Sequence, residues 1–232
     1  MQVLIVDQCS SDKKGKTRYE PVNTETIDST PRTELVQQDD VYVEPADQLY
    51  EGRQQQRISD AVTRFEEAGD DVDRVFISAG FGVVDASESL PLYDVTFSDM
   101  TTAEVDERAK QLEIYDDLRD RISDNAYDII FFALGSDYYR SAQIDDLVSL
   151  IPEETFIVLF NSEDLATEYE NAVSVSARTT DAKEYGTIVI ALKGEFIENF
   201  ALHRENGNTP TNVSEIERYC TVDPNQSGLS DY

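Results

Sequence analysis

Four short apolar runs, separated by long stretches of helical spacing, limit what this chain can fold into. They are Val3 to Val6, Arg74 to Ser78, Ile129 to Leu134 and Phe156 to Phe160. Each is short and bounded by polar residues or glycine, so each reads as a buried strand. Ile129 to Leu134 is the most apolar of them and reads as a central parallel strand. Between the runs, apolar residues recur at helical intervals: Leu49, Ile58, Val62 and Phe65, then Val105, Ala109, Leu112, Tyr115, Leu118 and Ile122. Strands alternating with helices imply an α/β fold, a Rossmann-like and mostly parallel sheet flanked by helices.

The remaining stretches fill in around that frame. Residues 17–40 are polar and turn-rich, with Pro21 and Pro31, and read as a long loop or flap. Val41 to Val43 is a short extended piece. Pro45 suits the first turn of a helix that Gly69 would stop. Pro91 to Phe97 is a loop or short extended element, and Thr101 or Thr102 can cap the helix that follows. Further helices are expected from Gly135 to about Leu150, from Asp164 to Tyr169 and from Glu195 to His203. Val173 to Val175 reads as a strand, and Gly186 to Leu192 (GTIVIAL) as the last clear one. One α/β domain over 1–205 is expected, with 206–232 as a polar C-terminal extension whose last residues fray.

Charge sets the environment. In 232 residues there are 48 acidic side chains against 19 basic ones, a net charge of −29. The acids are dispersed through every segment, as in Asp39-Asp40, Glu66-Glu67, Asp116-Asp117 and Glu153-Glu154. A tail or a nucleic-acid mimic would concentrate them. Dispersed repulsion of this size is screened at molar salt, where the Debye length is about 3 Å, so the composition points to a halophile. It also argues against broad binding to a phosphate backbone, which needs a basic face. Two cysteines without a CxxC pair, no basic leader and no apolar run long enough to span a bilayer make a cytoplasmic protein the expectation.

In a parallel sheet the segments after the strands gather along one edge, where ligands bind. The first strand is followed there by Asp7, Cys9, Ser10 and Lys13, the second by Ser78, Gly80, Phe81 and Gly82, and the third by Gly135, Ser136 and Tyr138. Asn161 follows the fourth. Only six lysines occur in the chain, and Lys13, Lys14 and Lys16 are three of them. Lys13 could bind an anion or act as a desolvated amine nucleophile. Tyr50 and Arg53 lie one turn apart in the first helix, with Arg53 as the natural clamp for a carboxylate or phosphate. Phe81 or Tyr138 could meet a planar group. Cys9 has no evident base, because the only histidine, His203, is far along the chain, so a buried small residue is expected there rather than a nucleophile. The plainer alternative is that polar residues and glycines merely turn the chain at strand ends. No P-loop, GxGxxG or metal-ligand spacing is present, and the sequence leaves any cofactor open.

Five segments in order, CSSDKK at 9–14, PADQLYEGR at 45–53, VFISAGFGVVD at 75–85, PLYD at 91–94 and DIIFFALGSDYY at 128–139, resemble the YaaA-like family, whose biochemical function is undefined and which is linked to peroxide stress. The resemblance covers about residues 1–160. It departs from the family in a long segment between Lys16 and Pro45 and in Phe81, where the family's turn carries a lysine. Cys9-Ser10-x-x-Lys13 is also similar to part of the P-C-S-x-x-K motif of archaeosine synthase, with Gln8 in place of the proline. There the lysine is tied to chemistry on a 7-deazaguanine base in tRNA. The resemblance implies a Rossmann-like fold with its site in the crevice already outlined, and Lys13 and Asp94 become the candidates for catalytic roles. The leading expectation is a protein that binds a nucleotide or nucleobase-like ligand. Whether it is an enzyme, of nucleic-acid modification or stress response, stays open. The rival is a non-catalytic module that binds DNA or a partner protein.

Overall fold

A computed structural model describes residues 1–225. Among these residues eight strands form, β1 (Gln2–Gln8), β2 (Val43–Pro45), β3 (Asp71–Ser78), β4 (Gly82–Asp85), β5 (Ser89–Pro91), β6 (Ile129–Phe132), β7 (Phe156–Phe160) and β8 (Ala172–Val175). Six of them make one sheet in the order β4-β3-β1-β6-β7-β8, while β2 and β5 pair separately. All neighbours in the large sheet are parallel except β3 and β4, which form an antiparallel edge. The α/β fold with a mostly parallel sheet is therefore present, and β1 lies inside it.

Strand alternation sorts the core into two layers. Leu4, Val6, Ile130, Phe132, Ile157 and Leu159 face one side, where they meet Val105, Leu118, Ile122, Tyr139 and Leu147. These come from the helices Thr102–Gln111, Ile114–Asp124, Ser136–Ser141 and Ile144–Val148. Val3, Ile5, Ile129, Phe131, Val158 and Phe160 face the other side and meet Ile58, Phe65, Leu192, Phe196 and Phe200. Those belong to the helices Arg53–Glu67 and Val189–Glu205.

The structure departs from the sequence reading in several places, each for a physical reason. GTIVIAL is not a strand: Val189 opens a helix that runs to Glu205. Leu192, Phe196 and Phe200, spaced four apart, are all fully buried, and this helical period over seventeen residues outweighs a short β-branched run. The helix expected from Pro45 to Gly69 is two helices, Ala46–Leu49 and Arg53–Glu67, because Tyr50 turns extended. There Lys14 N–H donates to Leu49 O (2.9 Å) and Glu51 N–H to Asp12 O (2.9 Å), so the loop after β1 is pinned into the break. The helices expected around Leu112 and after Gly135 are likewise split, at Glu113 and Gln143, which adopt positive φ. Thr101 does cap, in a reciprocal arrangement with Glu104.

The 17–40 segment contains two short helices, Thr24–Ser29 and Arg32–Leu35, anchored by buried Ile27 and Leu35. Residues 206–225, read as a polar extension, include the helix Val213–Thr221, whose Ile216, Tyr219 and Cys220 are buried in the second layer. The last residues, 226–232, expected to fray, lie outside the described residues. Among the described residues no helix is long and apolar enough to cross a membrane.

Candidate functional site

Strand order creates a crevice. The sheet grows from β1 in two directions, toward β3 and toward β6, so the segments after β1 and β6 diverge. This is the topological switch point of an open α/β sheet. Gln8 bridges it by accepting the Gly135 N–H at 2.6 Å. Beside it lies a cleft of about 680 Å³ lined by Cys9, Ser10, Asp94, Tyr138 and other residues, within the range of small-molecule sites.

Asp7 forms the floor without entering the cleft. Its carboxylate is fully buried and takes Arg74 Nη2 at 2.8 Å, Gln54 Nε2 at 2.7 Å, Gln55 Nε2 at 3.2 Å and the Gln8 N–H at 2.8 Å. The ion pair satisfies the charge. The geometric effect is to fix two amide side chains, Gln54 and Gln55, which do line the cleft.

A second polar cluster lies next to it. Ser78 Oγ accepts the N–H groups of Gly80 (3.2 Å) and Phe81 (3.1 Å) and lies 2.7 Å from Tyr93 Oη. With both of its lone pairs taken, Ser78 donates its own proton to Tyr93. Tyr93 Oη is in turn 2.6 Å from Tyr50 Oη. Burial pushes all of Tyr50, Tyr93 and Tyr138 above the ordinary phenol pKa, so they stay protonated at neutral pH. Tyr138 reaches the cleft from the helix Ser136–Ser141, with its Oη 2.9 Å from Cys9 Sγ and its ring edge-on to Phe97.

Lys13 is only 5% exposed. Its Nζ lies 4.3 Å from the Tyr93 ring centroid and 5.8 Å from that of Tyr50, a cation–π arrangement. No carboxylate is paired with it among the described residues. Burial lowers its pKa from the ordinary lysine value, an effect opposed by the nearby Cys9 and Asp94. Its neighbours Lys14 and Lys16 are more exposed and paired, with Glu44 at 2.9 Å and Asp94 at 3.0 Å. Asp94 is thus at the cleft rim, with its side chain 60% exposed.

Other expected residues fall elsewhere. Arg53 is exposed at the start of its helix and is not among the cleft residues. The break at Tyr50 removes the one-turn relation that would have brought Tyr50 and Arg53 together. Phe81 packs edge-on against Tyr93 at 5.1 Å. The same ring lies 3.0 Å from where a Cβ on Gly80 would be, and Gly82 takes a φ of +76° at the start of β4. These three shape the turn. Gly135 and Ser136 line an adjoining cleft of about 760 Å³ with Leu134, Asn161 and Lys193.

Sequence reasoning missed Gln54, Gln55, Thr96 and Lys193 at this edge. In the sequence, Gln54-Gln55-Gln56 is only a run of three like polar residues, with nothing to say which of them turn inward. Lys193 was hidden by the reading of its neighbours as a strand. His203 contacts Val222 O at 2.9 Å and stacks on Tyr219. It lies ten residues, about 15 Å, along the helix from Lys193, so it supplies Cys9 with no base.

The fold and this edge define an α/β protein with a polar, aromatic-edged crevice at its switch point. Compared with known protein families, with curated proteins and with solved structures, the chain matches none.

Proposed function

We propose that this protein binds a nucleotide or nucleobase-like ligand in the crevice at the carboxyl ends of β1 and β6. One observation carries the reading: in a chain of net charge −29, Lys13 is buried beside the crevice with no carboxylate paired to it among the described residues. A buried ammonium that costs desolvation and faces the rings of Tyr93 and Tyr50, with Cys9 and Asp94 nearby, is suited to an incoming carbonyl or anionic group. The cleft beside it offers amide, hydroxyl and thiol groups from Gln54, Gln55, Ser10, Thr96 and Cys9, suited to the edge of a heterocycle. The resemblance to the YaaA-like family supports the same place, because each of its five segments contributes to the Cys9–Lys13–Tyr50–Ser78–Tyr93–Tyr138 cluster or its rim. If the ligand is turned over, Lys13 and Asp94 are the residues assigned catalytic roles.

The test is mass spectrometry of small molecules retained by protein purified and kept at molar salt, followed by binding of the retained compound to Lys13→Ala. A retained heterocycle that the variant binds at least about tenfold more weakly, a difference of about 1.4 kcal/mol, supports the reading. Equal binding by both proteins would refute it.

A further inference from the structure

Lys193 stands between two clefts. It lines the one of about 680 Å³ beside Cys9 and the one of about 760 Å³ beside Gly135, and Asn161 is the other residue they share. Asn161 is already committed: its Oδ1 accepts the Ala177 N–H at 2.7 Å and its amide donates to Ala177 O. Lys193 is not. Its Nζ donates to the Leu134 carbonyl, which uses one of three ammonium donors. No carboxylate is paired with it among the described residues. Two donors are left for a group entering where the clefts meet.

The chain just before Lys193 adds an apolar surface. Ile188, Val189 and Ile190 are 46%, 38% and 69% exposed, and Val189 and Ile190 line the same cleft as Tyr138. Three consecutive large apolar side chains in water are a cost unless something covers them. They begin a helix whose N-cap is Ile188, which offers no side-chain acceptor to the first-turn N–H groups. A ligand with a flat apolar face and an anionic end satisfies both parts at once.

We propose that the ligand is a nucleoside monophosphate laid across the junction of the two clefts, with its phosphate on Lys193 and its base against Val189 and Ile190. The proposal rests on the reading of the crevice as a nucleotide site and adds the phosphate anchor and the wall that holds the base. Burial lowers the Lys193 pKa to about 8, so the ammonium is largely charged at neutral pH.

Isothermal titration calorimetry at molar potassium chloride tests this with AMP, GMP, CMP and UMP and the four matching nucleosides. The parent should bind at least one monophosphate about tenfold or more tighter than its nucleoside, as a charge-assisted contact would give. Lys193→Gln keeps a donor for the Leu134 carbonyl but should abolish that preference, and Lys193→Arg should retain it. Ile190→Ser should weaken monophosphate and nucleoside alike. If Lys193→Gln keeps the full preference for the monophosphate, the phosphate assignment is wrong and the crevice reading survives. If the parent binds none of the eight compounds, both are overturned.

Discussion

Lys13 Nζ sits 4.3 Å from the centroid of the Tyr93 ring, under a surface that leaves the residue only 5% exposed. Aromatic faces return part of the hydration the ammonium loses, but not all of it, and burial lowers its pKa from the ordinary lysine value against the opposing effect of Cys9 and Asp94. Replacing Lys13 with Met should therefore leave thermal stability unchanged or raised while ligand binding is lost. The pH dependence follows in sign. Between its lowered folded pKa and the ordinary 10.5, the unfolded chain binds the proton more readily, so the parent gains stability as pH rises through that window. Lys13→Met should flatten this rise. Melts of both proteins from neutral pH to pH 10 check it, and a variant that melts well below the parent at pH 7 would contradict it.

Tyr93 is the middle of a three-hydroxyl chain, 2.6 Å from Tyr50 and 2.7 Å from Ser78. Tyr93→Phe leaves two buried hydroxyls short of a partner, at a cost of about 1–3 kcal/mol. Tyr50→Phe leaves one buried hydroxyl, that of Tyr93, without its acceptor and should cost less, about 1 kcal/mol, the lower end of that range. Urea unfolding of the two variants should rank them in that order. A Tyr50→Phe variant weaker than Tyr93→Phe would mean that the hydroxyl chain is not the organising contact.

The Asp7–Arg74 pair is buried on both sides and sits beneath the cleft. Asp7→Asn leaves Arg74 uncompensated and should destabilise the fold by about 3–5 kcal/mol. Replacing both residues together, Asp7→Leu with Arg74→Met, should be milder than Asp7→Asn alone, because no unpaired charge remains. Chemical denaturation of the single and double variants measures the difference.

We propose, from the net charge of −29, that the fold depends on salt. The helix Ile114–Asp124 shows the strain locally: the Asp117 carboxyl is pushed above its ordinary pKa by burial and then by Glu113, Asp120 and Asp116. Between molar salt and ~0.1 M the Debye length grows from about 3 to about 10 Å, so such repulsions extend to more neighbours. The melting temperature should fall by several degrees over that range. Circular dichroism melts at the two salt levels that coincide would remove the halophile reading.

The sequence alone determined the four inner strands of the sheet. Val3 to Val6, Arg74 to Ser78, Ile129 to Leu134 and Phe156 to Phe160 are runs whose burial on both faces is written into composition, and a parallel sheet carries the residues after them to one edge. That logic was enough to bring Cys9, Ser10 and Tyr138 to one cleft, with Lys13 buried behind the same loop, whereas Asp94 was a candidate only through the PLYD segment. Tertiary structure decided the rest, because it depended on contacts between segments distant in sequence. Tyr50 leaves helical geometry where the loop after β1 binds its neighbours, which turned Arg53 out to solvent and Gln54 and Gln55 inward. Asp7 looked like a ligand contact until Arg74, 67 positions away, took its charge. Ile188 to Leu192 carry strong β-branched preference, yet packing of Leu192, Phe196 and Phe200 against the sheet made the segment from Val189 a helix and brought Lys193 to the crevice. Local propensity differs by less than about 1 kcal/mol per residue, whereas burying one large apolar side chain contributes about 1.5–3 kcal/mol, so packing overrode the local pattern.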